Sequence, residues 1–147
     1  MILVHHHIHS HLDPGKPVFA IPASRETLAK RRWRGVATDH TDFGFDLEHP
    51  LAHGDIIHQS PSAFYRVEQL SEPVLEVVLD TDPAAAALLA WKIGNLHFPA
   101  QISGRHLRVV DDPAIRQMFE REAIAFLATT AVFQPVVHAA PHSHHHA

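Results

Sequence analysis

The stretch VLEVVLDTDPAAAALLAWKIGNLHFPAQISGRHLRVVDDPAI, Val74 to Ile115, changes its hydrophobic period several times within some forty residues. Val74 to Leu79 is apolar and β-branched, the composition of a strand. Asp82 can cap a helix whose first position is Pro83, a residue favoured there because its missing N–H has no partner to lose. AAAALLAWKI continues that helix, and Gly94 is a natural stop at its C-terminal side. PAQIS and HLRVV then read as a hairpin about Gly104, and Asp112-Pro113 repeats the cap-plus-proline device. Ile115, Met118, Phe119, Ala123 and Phe126 give the second helix one apolar stripe. Ala131 to Val137, AVFQPVV, reads as a last strand. The order is β-α-β-β-α-β, the ferredoxin-like unit, over residues 73–137.

Residues 1–72 follow a different grammar. Trp33 to Thr38 reads as a strand, and DHTDFG supplies the polar residues and glycine of a turn. FGFDLE alternates, placing Phe43, Phe45 and Leu47 on one face. HGD, His53 to Asp55, turns into IIHQS, and FYRVEQL follows as another strand. Only Ser24 to Arg32 suggests a short helix, with Ser24 as N-cap. The fold class is therefore α+β: a small all-β N-terminal domain, a ferredoxin-like domain and a histidine-rich tail over 138–147.

Composition narrows the function. At 147 residues, 46% apolar and 19% charged, the chain reads as folded and soluble. Its longest apolar run, Ala84 to Trp91, is far short of the roughly 18 residues a membrane helix needs. MILV is followed at once by histidines, without the basic segment of an export signal, so the expected location is cytoplasmic. The absence of cysteine excludes disulfides and thiolate metal sites. Twelve Lys and Arg against sixteen acids do not suit a nucleic-acid binder. The basic run Lys30 to Arg34 reads either as a phosphate patch or as a solvated helix end leading into a strand.

Sixteen histidines are the anomaly. The net charge is −4 with all of them neutral and rises by sixteen when all are protonated, so it changes steeply around neutrality. They concentrate at the ends, as HHHIHSH (His5 to His11) and HSHHH (His142 to His146). Ile8 and Ser10 interrupt the first run, and Pro141, Ser143 and Ala147 frame the second, a pattern more native than a purification tag. In an extended strand, His5, His7, His9 and His11 would share one face, roughly 7 Å between successive members. His97, taken alone, is one histidine in a loop just past a helix. The C-terminal end of a helix favours a nearby cation, and Gly94 and Asn95 tolerate the backbone turn that presents His97 outward.

GNLHFPAQI (Gly94 to Ile102), with EPVLEV before it and LRVVDD after it, resembles the UreE family of urease accessory proteins, which are nickel metallochaperones. RRWRGVATDHTDFGFDLEHPLAHGDII in the first half is similar to that family's N-terminal β domain. The resemblance runs from about Arg25 to Pro135. It implies a homodimer, not an enzyme and with no catalytic residue, in which His97 of each protomer meets its twin and the pair holds one Ni(II). It also implies a disordered histidine-rich tail that supplies further ligands, and delivery of the metal to the urease accessory GTPase and the urease apoprotein complex. The N-terminal domain would be peptide-binding-like, and neither nucleic acid nor membrane would be a partner. Asp111-Asp112-Pro113 stands where some members carry further histidines, which moves the expected further ligands to the chain ends.

Two imidazoles do not complete a nickel shell of four or six ligands. His142, His144, His145 and His146 could supply the rest, as could His5, His6, His7, His9 and His11. Imidazole without thiolate leaves Zn(II) and Cu(II) as competitors, since raw affinity does not select nickel. His40, His49, His53, His58 and His106 are assigned to surface or packing, His106 being the exception to watch because it stands on the hairpin beside the metal loop. AAAALLAW is a candidate dimer surface and equally a candidate core helix. The other readings are a nickel store or buffer, and a peptide-binding scaffold with incidental histidines. A metal hydrolase would need ligands clustered on rigid elements, and no His-Glu-x-x-His pattern occurs.

Overall fold

The computed structural model describes residues 1–79 and 82–136. The chain divides into two units, Met1–Ser71 and a second beginning at Glu72. Both helices and sheets are present, so the chain is α+β.

The first unit holds β1 (Ile2–Val4), β2 (Val18–Ala23), α1 (Arg25–Leu28), β3 (Arg32–Val36), β4 (Asp42–Asp46), β5 (Ile56–Gln59) and β6 (Phe64–Gln69). They form two three-stranded sheets, ordered β1-β4-β3 and β2-β6-β5. Phe43, Phe45 and Leu47 are buried, as their alternation requires, and share a core with Ile21, Leu28 and Val67. Gly35 is needed for close approach: a Cβ there would meet Ile21 and Trp33 side chains at 2.8 Å. Ser24 caps α1, its side chain accepting from the Thr27 amide at 3.1 Å. The helix is a single turn, shorter than Ser24 to Arg32, because Arg32 already belongs to β3 and its Nε donates to Asp46 at 2.9 Å.

Two strands of this unit have no local signal. β1 pairs parallel with β4, and β2 pairs parallel with β6. A parallel partner must come from distant sequence, so no turn residue announces it. Pro22 lies within β2, which is tolerated because β2 is an edge strand.

The second unit holds β7 (Glu72–Val78), α2 (Pro83–Asn95), β8 (Ala100–Ser103), β9 (His106–Val110), α3 (Pro113–Arg121) and β10 (Leu127–Ala131). The four strands are ordered β10-β7-β9-β8, each neighbouring pair antiparallel. Leu75, Val77, Leu107 and Val109 line the sheet face against which Ile93 of α2 and Ile115, Met118 and Phe119 of α3 are buried. Asp82 and Asp112 both cap as expected, accepting from the amides of Ala84 (3.2 Å) and Ala114 (2.8 Å). Such caps are each worth about 1 kcal/mol. Gly104 turns the β8–β9 hairpin with φ of 58°.

Three details of this unit depart from the sequence reading. The last strand is Leu127–Ala131, not 131–137. LATTA runs antiparallel along β7, whereas the chain beyond it leaves the sheet ladder and sends the Val136 amide to the Ala100 carbonyl at 2.8 Å. α3 ends at Arg121, so neither Ala123 nor Phe126 is on its stripe, although Phe126 still packs on the same core. Ala123 instead adopts φ of 55° and closes the helix through Ala123 N–H to Glu120 O and Ile124 N–H to Phe119 O, a Schellman turn made without glycine. α2 likewise continues through Gly94 to Asn95.

Candidate metal centre

Leu96 is the C-cap of α2, and the next residue is His97. The His97 amide donates to the Gly94 carbonyl at 3.0 Å, and His97 itself takes φ of 61°. The left-handed position that usually falls to glycine is therefore occupied by the histidine. Gly94 lies inside the helix, where an added Cβ would meet nothing within 4 Å. The expected outward presentation of His97 is found, but the turn that makes it is His97's own. Ile93 before the turn is fully buried and Phe98 after it packs on the same core, so the exposed imidazole stands on a backbone anchored at both sides.

The helix leading to His97 is unusual for its unit. Of its residues only Ile93 is buried, with Ala86, Leu89, Ala90 and Lys92 partly so. Leu88 is 51% and Trp91 64% exposed, and Leu96 beside His97 is 42% exposed. AAAALLAW is thus mainly surface rather than core. Lys92 fixes the helix to the turn after α3 through Glu122 Oε2 at 2.8 Å.

His106 does not join His97. It alternates with Leu107, whose side chain enters the helix-covered face, so His106 lies on the sheet's other face. There its Nδ1 is 3.2 Å from Glu76 Oε1, while Arg108 holds Glu76 Oε2 at 3.0 Å. Gln101 and Ser103 line the same recess. This ion-paired cluster escaped sequence reasoning, because Glu76, Gln101 and Arg108 become neighbours only through the β7–β9–β8 register.

Between β9 and α3, Asp111 and Arg116 form a bidentate pair, at 2.6 and 2.8 Å. Hydrogen bonding from Arg116, which outweighs partial desolvation, holds the Asp111 carboxyl below its ordinary value. With Asp112 engaged as a cap, neither acid at this corner is left as a ready ligand.

The N-terminal histidines lie differently from a one-faced strand. β1 ends at Val4, and residues 5–11 continue without strand structure. His5 Nδ1 lies 2.9 Å from the Asp46 carbonyl oxygen. His7 and His9 meet, their ring centroids 4.9 Å apart. His53 accepts the Gln69 amide on Nδ1 at 3.0 Å, and His58 packs on Phe43 and Tyr65, so these two are packing residues. His142, His144, His145 and His146 lie outside the described residues. Among the described residues, no three histidines or carboxylates gather as a metal cluster. His97 therefore offers one imidazole per chain, and a full shell needs ligands from elsewhere.

Residues 72–147 match the family model of the UreE urease accessory protein, C-terminal domain. Proteins named urease accessory protein UreE are similar over most of the chain. That of Chelativorans sp. is 34% identical over 75% of this chain and 71% of its own. That of Pseudomonas fluorescens is 29% identical over 95% and 86% respectively. The Rhodopseudomonas palustris protein is 32% identical over 72% of this chain, which spans 51% of that relative's length. With its matched C-terminal half carrying the G-N-x-H turn on an exposed apolar helix, this chain belongs to the UreE urease accessory protein family.

Proposed function

We propose that this protein is a cytoplasmic nickel carrier for urease maturation that binds Ni(II) as a homodimer and passes it to the accessory GTPase and the urease apoprotein. The observation that carries the reading is the exposed His97, held at the left-handed end of a helix whose Leu88 and Trp91 are left in solvent. Leu88 and Trp91, one turn apart on the same helix, form an exposed apolar patch of the kind a partner can cover. Pairing two copies through α2 would bring two His97 imidazoles together and bury both apolar faces. The pair supplies two of the four or six nickel ligands, and His142, His144, His145 and His146 supply the others. In this reading residues 73–137 are the metal-binding domain and 138–147 its ligand-bearing tail. An all-imidazole set binds with intermediate strength, which a carrier needs in order to release its cargo, and admits Zn(II) and Cu(II) in vitro. The chemistry is transfer of an ion, with no catalytic residue.

The N-terminal unit supplies a peptide-docking surface in the same reading. Met1 and Leu3 lie over Gly44 on the outer face of the β1-β4-β3 sheet, within 3.2 Å of where a Cβ would stand, and both are exposed. A partner segment can lie on that face.

Sedimentation of the full chain and of His97→Ala, each with and without Ni(II), tests the proposal. The expected result is a dimer that Ni(II) tightens in the wild type and leaves unchanged in the variant. A wild-type protein that remains monomeric with Ni(II) at neutral pH overturns the shared site.

A further inference from the structure

The histidines at the start of the chain are laid against the first unit rather than free of it. The Ile8 amide donates to the Ile56 carbonyl on edge strand β5 at 2.8 Å, and Ile8 is half-buried. Two more attachments bracket it. His5 reaches the Asp46 carbonyl and accepts the Glu48 amide on its own carbonyl, and the Ser10 hydroxyl donates to Gln59 Oε1 at 3.2 Å. Between these anchors His7 and His9 are exposed, with ring centroids 4.9 Å apart at an interplanar angle of 81°.

That separation has a chemical meaning. An imidazole nitrogen binds a divalent late transition ion at about 2.1 Å, which puts the ion about 3.2 Å from the ring centre. Two such rings subtending about 90° to 109° at one ion have centres about 4.6 to 5.3 Å apart. The His7–His9 centroids stand within that window, as an edge contact of two rings also does. Chelation therefore asks the two exposed rings to turn a nitrogen each toward one ion, while the anchored backbone limits the entropy lost.

We propose that His7 and His9 form a bidentate surface site for a divalent late transition ion, Ni(II) or Cu(II), on the N-terminal unit and separate from His97. No third histidine or carboxylate joins them among the described residues, so the other coordination positions are filled by water or by an exchanging ligand. Such an open site exchanges its ion readily and suits first capture of metal. His5 turns Nδ1 to the Asp46 carbonyl and is not one of the two rings that meet.

The test compares Ni(II) binding to the full-length wild type, the double variant His7→Gln/His9→Gln, and each single variant, by equilibrium dialysis and calorimetry. The expected result is one Ni(II) fewer per chain in the double variant, with each single variant weakened at least tenfold at that site, since a chelate fails when either arm is lost. Added Cu(II) should broaden the amide resonances of Ile8 and Ile56 in the wild type and not in the double variant. An unchanged nickel count in the double variant, or single variants that each keep wild-type affinity, overturns the site. His97→Ala is the control: it removes the proposed shared site and should leave the His7–His9 ion bound, so the two proposals fail separately.

Discussion

The His97 amide donates to the Gly94 carbonyl at 3.0 Å, closing α2 with the histidine itself in the left-handed conformation. One residue thus ends the helix and carries the exposed imidazole. A non-glycine residue held there costs roughly 1–2 kcal/mol, a strain retained at the one position where the imidazole serves the proposed site.

His97→Gly should therefore be more stable than His97→Ala by about 1 kcal/mol, because only glycine relieves the Cβ clash. Both variants should fold and both should lose the tightest nickel site. Thermal unfolding beside nickel calorimetry checks the pair. Equal stability of the two variants would show that the turn relaxes when the histidine is removed.

If two chains pair through α2 as proposed, Trp91→Glu should weaken the metal-free dimer. Burying the indole at an α2–α2 contact contributes about 2 kcal/mol, so its replacement by a charge raises the dimer dissociation constant at least about tenfold. Ni(II) should restore part of the association, since an ion shared by two chains favours the dimer by mass action. Analytical ultracentrifugation at several concentrations reads both effects. A dimer of undiminished strength would place the interface on another surface.

Deleting residues 138–147 removes five histidines. The nickel count should fall, while the ion held by the His97 pair remains with weaker binding. Equilibrium dialysis of the truncated chain measures this, and an unchanged count would remove the tail from the site.

Acid should separate metal loss from unfolding. Ligand imidazoles must be neutral, so nickel binding weakens between about pH 7 and pH 6. The second unit should stay folded through that interval. Its Asp111–Arg116 pair depresses the Asp111 carboxyl below 3.8, so the pair's contribution is complete well above that value and is lost as pH falls through the lower, folded-state pKa. Circular dichroism followed in parallel with nickel release should give two transitions, the metal leaving first. Asp111→Asn should move only the acid unfolding transition, to higher pH.

Much of this architecture was legible in local sequence. Ser24, Asp82 and Asp112 announce helix starts because a short side-chain acceptor must satisfy a free amide, and all three do so. Gly54 and Gly104 mark turns that need positive φ. The alternation of Phe43, Phe45 and Leu47 determined which side of β4 is core. His97 stood out through its loop, and the same loop carried the family resemblance. Each of these signals is a constraint between residues a few positions apart.

Other features depended on partners far along the chain, and only the tertiary structure decided them. β1 and β2 exist because β4 and β6 offer parallel edges, which no neighbouring residue encodes. The last strand lies at Leu127–Ala131 because that segment meets β7 in register, although the more apolar stretch follows it. Whether AAAALLAW faces core or solvent could not be read from a helix apolar on every side; the sheet accepts Ile93 and leaves Trp91 outside. Glu76 captures His106 through the β7–β9 register. His7 meets His9 where the chain between their anchors lies along β5. Local chemistry determined which residues can cap, turn or bind; non-local packing decided which of them stand together in space.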